Sequence, residues 1–470
     1  KKPLGMDHML SANRRLFLGT SFTAMGSGSV LLGQAADKAA APKTSKDAEF
    51  EAMQKRLGAE LPRFQPQTLF LTWHRDPTTT MVVQWIGTRG ETPDTTVFFT
   101  DDSRLTARKN PLAPLDPKEK PVTAPWRSVV PRARYFPMTD FMVYRAELTG
   151  LAPGTEHLFK IGKASPTWRF RTMPSKANDS ISFVSGGDCG VNLACLENNR
   201  LAARQDPMFA VIGGDLGYDN GRSAETSLAF IRNYSTTMVD SRGRLIPLVP
   251  CIGNHEVDGG YGARDKATFF YPLFDGLFPE TGYNTLDFGD YLSLVLLDTG
   301  HTSKVEGAQA AWLDRTLAAR KDLPHTIVVN HVPAYPSNRN PVATLGKDGK
   351  TVHGTGENQR KHWVPLFEKH RVPVVLEHHD HTFKRTKPLM GGLQHPNGVQ
   401  YLGDGSWGRL RIPRADDQLH VMVKTSDDYH ISLHKLEGAE RFHLAMDHTG
   451  RVMDTCRSGQ RKAGIVPVSG

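Results

Sequence analysis

Apolar residues along this chain fall into distinct regimes. Between residues 68 and 173 they come in short alternating runs, LFLTW, TMVVQW, TVFFT, DFMVYRAEL, HLFKI and WRFRT, separated by turn-forming residues. A period of two over such short runs predicts half-buried antiparallel strands, and six of them in succession predict a small β-sandwich. From Ser180 onward short continuous apolar runs alternate with helical stretches, predicted over 225–238, 308–320 and 359–370. In 308–320, Trp312, Leu313 and Leu317 gather on one face while Arg315 and Arg320 lie elsewhere, the periodicity of a helix lying on a sheet. Over 418–454 the short runs return (HVMVKT, HISLHKL, FHLAMDH) and read as strands added at the end of this second region. The expected organisation is a β-sandwich over 67–174, an α/β region over 178–412 and a β extension over 413–462. A linker and short helix over 42–66 precede them.

Five of the apolar runs in the α/β region share one ending. They are ISFVSGGDCG (181–190), MFAVIGGDLGYDN (208–220), LIPLVPCIGNHE (245–256), TIVVNH (326–331) and PVVLEHHDH (373–381). Each reads as a buried strand whose C-terminal loop presents Asp, Asn or His. Ligands of open α/β sheets bind at those carboxyl ends, so Asp188, Asp215, Asn254, His331, His379 and His381 should converge. Carboxylates, an amide carbonyl and imidazoles are the donor set that holds a pair of hard or borderline cations. Two such cations about 3.5–4 Å apart clamp both oxygens of an in-line phosphoryl displacement. Asp188 suits a terminal ligand and Asp215 a bridge. His255, beside Asn254, is not needed as a ligand. It is placed either to protonate a leaving alkoxide or to orient a ligand.

Composition sets outer bounds. At 470 residues, 39% hydrophobic and 23% charged, the chain is an ordinary globular protein of two or three domains. Its net charge of +9 favours acidic ligands, but no basic stripe is interleaved with aromatics, so nucleic acid is not expected as a structural partner. Asn13-Arg14-Arg15-Leu16-Phe17-Leu18, then a mild apolar stretch to Leu32 and small residues around 35–41, has the layout of a twin-arginine export signal. Residues 1–41 are therefore expected to be removed, and 1–5 could be an expression scar. The mature chain is expected to be periplasmic or secreted, with no membrane span. Cys189 and Cys195 flank one loop and could pair, Cys251 closes a strand, and no C-x-x-C pair suggests zinc.

The series Gly187-Asp188, Gly214-Asp215-Leu216-Gly217-Tyr218, Gly253-Asn254-His255-Glu256, Asn330-His331 and His379-Asp380-His381 resembles the calcineurin-like metallophosphoesterases and, within them, the purple acid phosphatases. Tyr218, three residues after the expected bridging aspartate, is the discriminating position. The turn in AELTGLAPGTEHLFKI (146–161) resembles that of fibronectin type III modules. The resemblance implies an α/β fold, a four-layer αββα metallophosphoesterase sandwich preceded by an all-β fibronectin III-like domain. It implies Fe(III) held by Asp188, Asp215, Tyr218 and His381, and Fe(II), Zn or Mn held by Asp215, Asn254, His331 and His379. A metal-bound hydroxide would then hydrolyse small phosphomonoesters, with His255 as general acid. A phosphodiesterase on the same site and a non-catalytic, metal-stabilised surface protein are the alternatives.

The chain departs from the family pattern twice. His378 stands where the last motif has glycine, either crowding the turn or touching substrate. No histidine closely follows His331; His353, at the end of the polar loop 333–356, is the candidate for a phosphate-binding catalytic role. That loop and 258–265 are expected to frame the mouth, where Arg264, Arg339, Lys347 and Lys350 are either contacts for an anion or, as the stronger reading of each, solvated charge.

Overall fold

The computed structural model describes residues 68–88, 94–102, 126–163, 165–177, 181–415 and 420–459. The expected export signal and the linker helix lie outside these residues. Two four-stranded antiparallel sheets come first. One runs in the order Phe70–Thr72, Met81–Thr88, Phe141–Leu148, Arg132–Tyr135, the other Arg127–Val129, Val97–Thr100, Glu156–Ile161, Trp168–Arg171. All six runs read from alternation are strands. The two that alternation misses, Arg127–Val129 (RSV) and Arg132–Tyr135 (RARY), are largely exposed and offer no apolar face. Cross-strand pairing of Trp85 with Tyr144, rings stacked at 5.1 Å, fixes register in the first sheet.

Trp73 ties these strands to the α/β region. It is fully buried, its indole N–H donates to the Thr80 carbonyl at 3.0 Å, and its ring meets Phe209 and Phe288 edge-on near 6 Å. Beside it the Thr72 hydroxyl donates to the Leu248 carbonyl at 2.8 Å, while Arg145 donates to Asp275 at 2.6 Å.

The second region holds two large mixed sheets. The six-stranded sheet is ordered Leu248–Pro250, Ala210–Ile212, Ile181–Gly186, His430–Glu437, Glu440–Asp447, Val452–Ser458. The seven-stranded sheet is ordered Asn284–Phe288, Leu292–Leu296, His325–Asn330, Val374–Glu377, Gln400–Asp404, Phe383–Thr386, Met422–Ser426. The C-terminal strands are thus integral: His430–Glu437 pairs directly with Ile181–Gly186. Side chains on the strands of the second sheet divide between two cores. Leu294, Leu296, Ile327, Val329, Val374 and Leu376 join the large core shared with the first sheet. Val295, Leu297, Val328 and Val375 join a separate core with Leu313, Leu317, Trp363 and Phe367 from the covering helices. Strands buried on both faces explain the continuous apolar runs of the sequence.

The predicted helices at 225–238 and 308–320 are found as Ala224–Thr237 and Ala308–Ala319. The one predicted over 359–370 is two short helices, Glu357–His362 and Val364–Lys369. Pro365 supplies no N–H to continue the first into the second. No helix among the described residues is long and apolar enough to cross a membrane.

Replacing Trp73 with alanine removes the ring that joins the two regions. The expected loss is about 3–5 kcal/mol, read as a clear fall in thermal midpoint; an unchanged midpoint would show that Trp73 does not couple them.

Candidate metal centre

Each of the five segments ends its strand at one edge of the paired sheets. There the loops are stitched together by backbone: Asp188 N–H donates to the Gly214 carbonyl at 3.0 Å, Cys189 N–H to the Asp215 carbonyl at 2.9 Å, and His378 N–H to the His331 carbonyl at 2.9 Å. The result draws the candidate side chains into one place. Asp188, Asp215, His331 and His379 each set one donor atom within 4.8 Å of the others. Two groupings are visible. In one, the Tyr218 hydroxyl lies 3.0 Å from Asp188 Oδ1 and 3.1 Å from His381 Nε2, which is itself 3.1 Å from Asp188 Oδ1. In the other, His331 Nε2 lies 3.2 Å from Asn254 Oδ1, 3.3 Å from Asp215 Oδ1 and 3.1 Å from His379 Nδ1.

The second grouping is chemically incomplete without a cation. His331 Nδ1 faces the Gly213 carbonyl at 2.9 Å, so Nδ1 carries a proton and Nε2 is the nitrogen that offers a lone pair once its own proton is displaced by a metal. That lone pair looks at two oxygens and another ring nitrogen, atoms that repel one another unless a positive charge sits between them. Asp215 Oδ2 is buried and has no hydrogen-bond partner, an exposed valence in the right place for a shared ligand. The donor set therefore fits two cations: Asp188, Tyr218 and His381 around one, Asn254, His331 and His379 around the other, Asp215 between.

Backbone strain is concentrated in the same residues. Asp188, Asp215, His379 and His381 have φ of 57°, 54°, 71° and 59°. That left-handed conformation costs roughly 1–2 kcal/mol for an ordinary residue, less for Asp. Strain of this kind clusters where a site must be aimed.

The charges agree with metal-ready donors. Burial works against ionising Asp188, but His381, His331 and His379 hold its carboxyl far below the usual range. Burial also opposes charge on His331, yet the Asp215 and Asp188 carboxylates lift it to about 9, so a proton occupies the gap when no metal does. Burial and then the charge on His331 push His379 well down. Burial, Asp188 and Asp215 raise the Tyr218 phenol well above its ordinary value, so ligation through its oxygen must expel a proton.

Glu256 is a supporting residue that sequence reasoning misses. Its buried carboxylate accepts the N–H groups of Asp215, Leu216 and Gly253, each at 2.8 Å, and so clamps the second and third loops together. Burial and the neighbouring Asp215 push its carboxyl up to about 8, against the pull of those amides. Its place beside Asn254-His255 is the one signal that could have found it. His301 is a second omission: fully buried, it packs edge-on to His331 at 5.6 Å and faces the Gly260 carbonyl at 2.9 Å. His255 lies half-buried, its ring 4.2 Å from that of Tyr218, its N–H on Asp215 Oδ1 at 2.9 Å and its Nε2 3.9 Å from Asp215 Oδ2.

His353 is not among the residues brought together. It follows the exposed two-stranded hairpin Thr344–Leu345 and Thr351–Val352, is 79% exposed, and pairs with Glu357 at 3.2 Å. His378 neither strains the turn nor reaches the mouth. Its φ is not positive, and its buried ring faces the Asn330 carbonyl at 2.9 Å. It fills space left by two glycines: a Cβ on Gly213 would stand 1.9 Å from its ring, and one on Gly187 2.6 Å. Cys189 and Cys195 are free buried thiols. Of the expected mouth cations, Arg339 bonds Asp380 at 3.1 Å and the His379 carbonyl. Arg264 is turned to the Thr281 and Phe278 carbonyls. Arg409 and Arg411 carry no signal in the sequence: Arg411 N–H donates to the His381 carbonyl at 2.8 Å, and the Arg409 guanidinium lies over the Tyr218 ring.

A methyl at position 213 collides with the His378 ring, so Gly213→Ala should destabilise the protein by about 1–3 kcal/mol. Adding His378→Gly should recover most of that in denaturant unfolding; simple additivity of the two changes would refute the pairing.

Residues 186–383 match the family described as calcineurin-like phosphoesterase. Purple acid phosphatase 21 of Arabidopsis thaliana is 26% identical over 289 residues, 58% of this chain and 60% of that protein. Purple acid phosphatase 22 of the same plant is 25% identical over 293 residues, again 58% and 60%. The chain thus spans about three-fifths of the length of these relatives. The purple acid phosphatase PPD1 from yellow lupin (Lupinus luteus) seeds superposes with a TM-score of 0.62 at 14% identity, covering 83% of this chain and 73% of that one. PhoD superposes at 0.55 and 12% identity, covering 84% and 93%; both likenesses concern the fold. From Gly186, at the end of the strand that precedes Asp188, to Phe383, just beyond His381, the chain matches the calcineurin-like phosphoesterase family.

Proposed function

We propose that the protein is an exported, purple-acid-phosphatase-like enzyme that hydrolyses small phosphomonoesters at a dinuclear metal site. The observation that carries this reading is the second grouping, where ligand-type oxygen and nitrogen atoms of Asn254, Asp215 and His379 surround His331 Nε2 at 3.1–3.3 Å. Asp188, Asp215, Tyr218 and His381 would hold Fe(III), and Asp215, Asn254, His331 and His379 would hold Fe(II), Zn or Mn. When bound, the pair supplies Lewis-acid polarisation of the phosphoryl group and activation of water.

The chain's own residues supply the rest. His255 is fixed by its backbone bond to Asp215, while its Nε2, 3.9 Å from Asp215 Oδ2, makes no hydrogen bond there. That nitrogen is free to turn to a leaving oxygen and give it a proton. Burial lowers the pKa of His255 below its ordinary 6.5, with Asp215 pulling the other way. The acid form is therefore present at low pH and lost as pH rises. Arg339, its guanidinium on the His379 carbonyl, and Arg411, its backbone N–H on the His381 carbonyl and its charge felt by Asp380 and Asp188, set positive charge at the rim where an anionic substrate arrives. We read the two N-terminal sheets as a fibronectin III-like module on which this site is carried, and the Arg14-Arg15 segment as a twin-arginine export signal.

Three measurements test the proposal. Asp215→Asn should abolish both metal retention and turnover; unchanged metal and rate would remove its bridging role. His255→Ala should slow turnover about 10²–10⁴-fold at nearly unchanged metal content. It should also remove a fall in kcat/KM that the wild type shows as pH rises through a value below 6.5. An intact profile in that variant would rule out the acid role. An aryl phosphate monoester should turn over faster than the corresponding diester; the reverse order would make the enzyme a phosphodiesterase.

A further inference from the structure

We propose that Arg409 is a positioning residue for Tyr218, packed on the phenol ring so that its charge sets how strongly the phenol oxygen donates to a metal. The proposal rests on the reading of Tyr218 as a ferric ligand. The guanidinium carbon of Arg409 lies 4.1 Å from the centroid of the Tyr218 ring, within the range where a cation is held by the ring quadrupole. Its Nε is buried without a hydrogen-bond partner, and no carboxylate among the described residues pairs with it. An arginine held this way contributes charge and a flat face, not a hydrogen bond. Its seat is built for that. Gly190 has φ of +64°, and a Cβ there would stand 3.4 Å from both Arg409 Nε and Tyr218 Cδ2, so the stacked pair lies in van der Waals contact against this turn. The same ring is held by His255 at 4.2 Å, and its hydroxyl by Asp188 and His381. The phenol is thus fixed in direction by its neighbours and carries on its face one cation that makes no ion pair among the described residues.

The consequence is electronic. A positive charge this close to the ring lowers the energy of the ring electrons. Light absorption by a ferric–phenolate pair moves one of those electrons to the iron, so the cation raises the energy of that transition. It also weakens donation from the oxygen, which makes the ferric ion easier to reduce. Removing the charge should reverse both effects.

The test uses the full chain loaded with iron, with iron content measured for every variant. Arg409→Met keeps the stem and removes the charge; Arg409→Gln does the same with a polar end; Arg409→Lys keeps the charge. The neutral variants should move the visible band to longer wavelength and lower the Fe(III)/Fe(II) midpoint, with Arg409→Lys lying closer to the wild type. If the methionine variant does not fold, the glutamine variant carries the comparison. Tyr218→Phe should have no such band in any background. A band and midpoint identical in wild type and neutral variants would reduce Arg409 to packing and overturn the proposal alone. A wild-type iron-loaded protein with no band at all would overturn the ferric reading of Tyr218 and this proposal with it.

Discussion

Electron-rich atoms that repel one another are held face to face. His331 Nε2, Asn254 Oδ1, Asp215 Oδ1 and His379 Nδ1 come from loops spread over residues 215–379, yet meet at 3.1–3.3 Å. Without a metal ion only the proton that Asp215 and Asp188 hold on His331 relieves that repulsion, and the strands impose the rest of the assembly. Parallel pairing of Ala210–Ile212 with both Ile181–Gly186 and Leu248–Pro250, and of His325–Asn330 with Val374–Glu377, brings the five loops to one edge. Four of the candidate ligand residues then accept left-handed backbone. Four such residues cost several kcal/mol at roughly 1–2 each, a large share of a typical net stability of about 5–15 kcal/mol. A structural zinc site contributes about 10–16 kcal/mol on binding, so cations of comparable affinity suffice to offset both the strain and the repulsion.

The supporting residues are explained by that constraint. Glu256 commits its carboxylate to three backbone amides and so keeps the Asp215 and Asn254 loops at a fixed spacing. Asp380, between two ligand histidines, accepts the amide of Asn338 at 3.1 Å and pairs with Arg339, fastening the fourth loop to the fifth. Beneath them Lys384 and Glu377 form a buried pair at 2.8 Å. Such a pair is weak evidence for stability, but Glu377 also accepts the Ala334 amide, which anchors the chain just after His331. The site is aimed by polar groups that touch no substrate.

Apolar periodicity decides which elements are legible in the sequence. Strands with an apolar face, the helices over the second sheet and the ligand-bearing strand ends all carry that signal. The helix Leu193–Ala203 does not. Its inward residues include Asn198 and Asn199, which are buried and bound to the Trp407 backbone carbonyl and indole N–H, so hydrogen bonding replaces the apolar stripe and the pattern vanishes. His378 is ambiguous in the sequence because its tolerance depends on glycines at 187 and 213, far away along the chain. Arg409 is invisible for a similar reason: a charged residue in a loop reads as solvated until the ring beneath it is known. His353 is the opposite case, a plausible residue type in a plausible loop whose place in solvent, at the end of a hairpin, the sequence does not show.

The central claim, that two cations share Asp215, is tested most directly by anomalous diffraction from crystals of the metal-loaded protein. The account predicts two peaks about 3.5–4 Å apart, one beside Asp188, Tyr218 and His381, the other beside Asn254, His331 and His379, with the Asp215 carboxylate touching both. A single peak, or two that Asp215 does not join, would contradict it.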